Sequence, residues 1–152
     1  MFRRTQPAIL FSIIFLSLSG AQAHDGATGV VKERMDLMKT IGKNTKMVAP
    51  IAMGSADMDL KAVEDGATAI QNAAIMALEK FPEGSTSEHS EAKANIWTDW
   101  DKFSGLMKSL AADAGALAQL AKDDEDFELT DAFSKMANNC KNCHTEFRQK
   151  KN

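Results

Sequence analysis

From about residue 29 onward, apolar side chains recur at alternating steps of three and four, in four separate runs. Val31, Met35, Met38, Ile41, Thr45, Val48 and Ala52 form the first, and Leu60, Val63, Ala67, Ile70, Ala74, Ala77 and Phe81 the second. Ile96, Trp100, Phe103, Met107, Leu110, Ala114, Leu117 and Ala121 form the third, and Leu129, Phe133, Met136, Cys140, Cys143 and Phe147 the fourth. This spacing puts one apolar stripe on each of four helices. The expected spans are about 29–53, 57–80, 92–121 and 125–150. Ser55 or Asp57 is the expected N-cap of the second helix, and Pro50 should bend or end the first. A polar loop is expected over 83–91. No alternating strand pattern appears. The fold class is therefore all-α, an antiparallel up-down four-helix bundle with one shared core.

The first 23 residues read differently. Arg3 and Arg4 precede a short apolar run, Ala8 to Leu18, and Ala21-Gln22-Ala23 matches a signal-peptidase site. The run is too short for the roughly 20 residues that span a bilayer as a helix. Residues 1–23 are thus expected to be a cleaved signal peptide, the alternative being a retained N-terminal anchor. Residues 24–152 then form one mature domain in the periplasm, with no membrane span. The chain has 18 basic and 21 acidic residues. Removing Arg3 and Arg4 leaves 16 against 21, a net of −5. That balance disfavours nucleic acid and anionic membranes as partners and suits a basic patch on a redox partner protein.

Only two cysteines are present. Cys140-Lys141-Asn142-Cys143-His144 has the C-x-x-C-H pattern that attaches a c-type heme. Each thiol adds to one heme vinyl group. Residues three apart share a helix face, so both sulfurs can reach one heme edge. His144 can then reach the iron as proximal ligand. The competing readings are a redox dithiol, a disulfide or half of a zinc site. Zinc would need two further ligands. The remaining histidines are His24 and His89, and no second cysteine pair exists. A thioredoxin-like dithiol would sit in a βαβ context, which is missing. Exported context, bundle and motif all agree on one covalent heme c.

A C-terminal heme motif on a four-helix bundle resembles class II c-type cytochromes, the cytochrome c′ family. The resemblance spans nearly the whole mature chain. It is carried by Arg34-Met35-Asp36-Leu37-Met38-Lys39, by Ala94-Asn95-Ile96-Trp97, by Phe103 and by Cys140 through Arg148. It implies that the first helix crosses the distal heme face with Met38 pointing at the iron. In low-spin relatives of the c-556 type such a Met is the sixth ligand. In five-coordinate, high-spin cytochromes c′ the residue there only blocks the face, and NO or CO can bind. The Leu37-Met38-Lys39 stretch followed by Gly42-Lys43-Asn44 resembles the low-spin group more closely, although some five-coordinate members also have Met at position 38. Plain core packing is the other reading of any of the nine methionines. The resemblance places Arg34 beside a heme propionate, against the plainer reading of a solvated helix arginine. It also implies homodimers through the first two helices, where Met47, Met53 and Met58 are available. Trp97 is either near the heme or simply core. Arg148 is either near the proximal side or a charge complementing the helix dipole.

The implied activity is electron carriage, with gas binding at an open iron as the rival. An enzyme is not expected, because no set of histidine, acid and nucleophile accompanies the motif.

Overall fold

The computed structural model describes residues 26–150. The expected signal peptide lies outside the described residues. The elements are α1 (Gly29–Ala52), α2 (Leu60–Leu78), a short α3 (Asn95–Thr98), α4 (Trp100–Lys122), a 3-10 turn (Asp126–Glu128) and α5 (Leu129–Phe147). α1, α2, α4 and α5 make the bundle. Their buried residues include Val48, Val63, Ala67, Ile70, Ala74, Ala77, Leu117, Leu129 and Met136, all on the stripes read from the sequence.

Helix ends explain most departures from the expected spans. α1 does continue through Pro50 but stops two residues later. Gly54, at φ +70°, donates to Ile51 O at 3.0 Å, and the Pro50 carbonyl accepts from Ser55 N and Ala56 N. A left-handed residue just past the helix end is glycine's natural place. Asp59, rather than Ser55 or Asp57, caps α2, its carboxylate accepting from Ala62 N at 2.9 Å. A side-chain acceptor there satisfies one of the first-turn amides that have no helical partner.

The third run is not one helix. Asp99 (φ −115°, ψ 40°) separates α3 from α4. Trp100, at the first position of α4, is 37% exposed, with its ring 5.6 Å from that of Phe103. Trp97 is held by its indole N–H, which donates to the carbonyls of Phe81 (3.1 Å) and Pro82 (3.0 Å). It therefore anchors the connection that follows α2.

That connection, residues 79–94, is long for a bundle and closes one side of the fold. Its far end pairs with the chain after α5. Lys93 N donates to Phe147 O (2.9 Å) and Gln149 N to Glu91 O (2.7 Å), and Ala92 and Arg148 form an antiparallel bridge. Helix pairs α1–α2, α2–α4 and α4–α5 pack closely, whereas α1 and α5 barely touch. The gap between them is the cavity described next. No helix among the described residues is long and apolar enough to cross a membrane.

Candidate functional site

The cavity has a volume of about 490 Å³, within the usual range for a bound organic cofactor. α1 forms one wall with Arg34, Met35, Met38, Ile41 and Thr45. α5 forms another with Asn139, Cys140, Cys143, His144 and Phe147. Phe103, Leu106, Met107 and Leu110 of α4 close the back, and Phe81 with His89 to Ala92 closes the end. Phe103 holds this interior in place. It meets Phe81 edge-on at 4.7 Å and Phe147 edge-on at 5.5 Å. Such pairs contribute about 0.5–1.5 kcal/mol each beyond their burial.

All five residues singled out for the site, Cys140, Cys143, His144, Met38 and Arg34, meet at this one cavity. Trp97 does not line it. His89 and Ser90 line it as well, and Ser85 meets Arg34; a serine-rich loop has no periodicity to mark which side chains turn inward.

The two cysteines sit three apart on α5, partly buried against the core. Burial pushes the Cys140 thiol up. Burial first, then Cys140 and Glu146, push Cys143 up to about 11. A catalytic dithiol needs the opposite shift, toward thiolate, so the redox-dithiol reading fits this environment poorly. For His144, burial is the main cause of a lowered pKa; Arg148 and Lys150 add to it and Glu91 opposes it. The shift is in the direction that favours the neutral imidazole, the form that binds metal.

Arg34 is 2% exposed. Its Nη1 donates to Ser85 Oγ at 2.9 Å, and its Nη2 donates to the Ser85 carbonyl at 2.7 Å and to Ser90 Oγ at 3.0 Å. The guanidinium lies 4.9 Å over the Phe81 ring, a cation–π distance. Its buried Nε has no hydrogen-bond partner among the described residues. An orphan buried N–H is costly, and a carboxylate of a bound group would satisfy it. With an apolar interior, two paired thiols, a neutral imidazole and this donor, the residues fit a heme.

The sequence model of the family described as Cytochrome C′ matches residues 29–148. The chain belongs to the cytochrome c′ family. A cytochrome c′ from Rhodopseudomonas palustris is 33% identical over 125 residues, covering 82% of this chain and 84% of that protein. A cytochrome c-556 from Agrobacterium tumefaciens strain II Chrys is 34% identical over 124 residues, covering 81% and 99%. The solved Rhodopseudomonas palustris cytochrome c′ superposes with a TM-score of 0.74 at 33% identity, covering 83% of this chain and all of that one. The four-helix bundle is therefore that of a cytochrome c′. Its cofactor is heme c, one per chain, attached covalently through Cys140 and Cys143.

Proposed function

We propose that this cytochrome c′ family member is an exported electron carrier whose heme iron has His144 as proximal and Met38 as distal ligand. The observation that carries the reading is that Met38 of α1 and His144 of α5 line one cavity from two helices that otherwise barely touch. Met38 also packs against the buried core, whereas Met35 borders the cavity without joining it. When bound, the heme supplies a one-electron Fe(III)/Fe(II) couple, which His/Met ligation raises in potential. The chain's own part is to hold a neutral imidazole on α5, to offer a flexible thioether from α1 and to keep water from the apolar interior. Arg34, through its spare Nε, is the residue to receive a heme carboxylate.

Two further features belong to this reading. Residues 1–23 are a cleaved signal peptide and 24–152 the periplasmic domain. Met47, Met53 and Met58 are 42%, 50% and 50% exposed at or just past the end of α1 and the start of α2, and they suit a homodimer surface. Relatives named cytochrome c-556 favour the six-coordinate reading. Relatives named cytochrome c′ keep the five-coordinate, NO- or CO-binding reading as its rival.

The deciding experiment is the absorption spectrum of the purified holoprotein in both oxidation states. A low-spin ferric spectrum with the weak far-red band of thioether ligation is expected, together with slow CO binding to the ferrous form. A high-spin spectrum with fast CO binding would move the function to gas binding.

A further inference from the structure

We propose that the mouth of the heme cavity docks the acidic face of a redox partner protein, opposite in sign to the partner that the net charge suggests. The inference rests on the electron-carrier reading. Net charge alone, −3 for the whole chain, points to a basic partner. The fold, however, sorts the charges by end.

Lys39 and Lys46 line the cavity from α1, and Lys43 lies between them on the same helix face. Arg148, just past α5, also lines the cavity, Lys150 lies near enough to act on His144, and Lys141 is exposed on α5 next to Cys140. The acid that lines the cavity is Glu91, and it is paired with Arg148 at 2.5 Å. Nearby acids are also matched: Glu146 by Lys102 at 2.6 Å, and Asp36 by Lys32 and Lys39. Lys43, Lys46, Lys141 and Lys150 are exposed and make no ion pair among the described residues. Arg34, buried beside the cavity, would balance one of the two carboxylates of heme c, and the unpaired Lys43, Lys46 and Lys150 outnumber the single charge that remains.

The other end is the reverse. The segments 53–61 and 122–131 hold Asp57, Asp59, Asp123, Asp124, Glu125, Asp126, Glu128 and Asp131 against Lys61 and Lys122. The Thr130 hydroxyl donates to the Ala52 carbonyl at 2.8 Å, which brings these two segments to one end of the bundle. At 1.5 Å per residue, Arg148 stands about 28 Å and Lys141 about 18 Å along the chain from Leu129, and Lys43 and Lys46 about 14 and 9 Å from Ala52. Salt screens charge over about 8 Å under physiological conditions. A partner at the heme mouth therefore meets the local lysines and not the net charge. Electron transfer would favour the mouth as the contact, because Cys140, Cys143 and His144, which would hold the heme, line the cavity.

The test uses ferrous holoprotein and two outer-sphere oxidants of opposite charge. In each reaction the heme gives up one electron, reducing ferricyanide to ferrocyanide or tris(phenanthroline)cobalt(III) to cobalt(II). As salt is raised, the ferricyanide rate should fall by about tenfold and the cobalt rate should rise, the sense of a positive site. Lys43→Glu with Lys141→Glu should lower the low-salt ferricyanide rate by about tenfold. Lys61→Glu with Lys122→Glu, the same change in net charge, should leave it within about twofold, being beyond the screening length. Poly-L-glutamate should slow the ferricyanide reaction at low salt, and poly-L-lysine should not. Salt slopes of the opposite sign, or equal effects of the two charge-matched pairs, would overturn the proposal. So would slowing by phosphatidylglycerol vesicles without any by poly-L-glutamate, which would assign the face to a membrane. The carrier reading fails separately, by a high-spin spectrum and fast CO binding, with the salt slopes keeping their sign.

Discussion

Arg34 on α1 donates from Nη2 to Ser90 Oγ at 3.0 Å, across 56 positions of sequence, and with its bonds to Ser85 it pins the 79–94 connection over the heme cavity. These donors and acceptors are largely shielded from water, so removing one side leaves the other unsatisfied. Arg34→Met keeps much of the volume and removes the donors. It should destabilise the holoprotein by about 2–3 kcal/mol in urea denaturation followed by heme absorbance. Arg34→Lys should recover less than half, since an ammonium cannot reproduce the fork that meets Ser85 and Ser90 together. An unchanged midpoint in Arg34→Met would mean that the connection is held by Trp97 and the Ala92–Arg148 bridge alone.

Met38→Ala should convert the oxidised spectrum to high-spin and let CO bind the ferrous form rapidly, because a methyl group cannot reach the iron. Met35→Ala should do neither, although Met35 also borders the cavity. Equal spectra for the wild type and Met38→Ala would remove Met38 from the ligand set and leave heme attachment untouched.

Two glycines should respond in opposite ways to alanine. A Cβ on Gly66 in α2 would meet Val48 Cγ2 at 2.5 Å and Met47 Cε at 2.7 Å. Val48 is fully buried and cannot yield, so Gly66→Ala should force α1 and α2 apart and cost about 1–3 kcal/mol. A Cβ on Gly115 in α4 would meet the end of the Gln71 side chain, which can swing aside. Gly115→Ala should then be neutral or gain up to about 1 kcal/mol of helix propensity. Thermal unfolding of the two holoproteins checks both signs.

Export and attachment are read together in one mass. Protein from a host with a periplasmic cytochrome maturation system should weigh as residues 24–152 plus one heme. The heme should survive acid-acetone extraction and stain by in-gel peroxidase activity. Cys140→Ala with Cys143→Ala should lose the stain. An intact N-terminus would defeat the cleaved-signal reading while leaving the heme site standing.

The sequence by itself determined the covalent chemistry and the bundle, since both are local. Cys140, Cys143 and His144 lie within five consecutive residues, and a helix stripe is visible wherever residues recur every third or fourth place. It also placed Met38 and Ile41 on one stripe, so that a single face of α1 could be assigned to the core. Only the tertiary structure decided what comes from elsewhere in the chain. Asp99 breaks the third run without interrupting its periodicity, and Trp100, on the stripe by its spacing, is 37% exposed. Arg34 read equally well as a solvated charge, and its burial depends on two serines in a loop with no pattern of its own. The sign of the heme mouth follows the same logic. Net charge is a sum over the chain, but screening confines each charge to its own neighbourhood. Which lysines become neighbours of the cavity is settled only when α1 and α5 close around it.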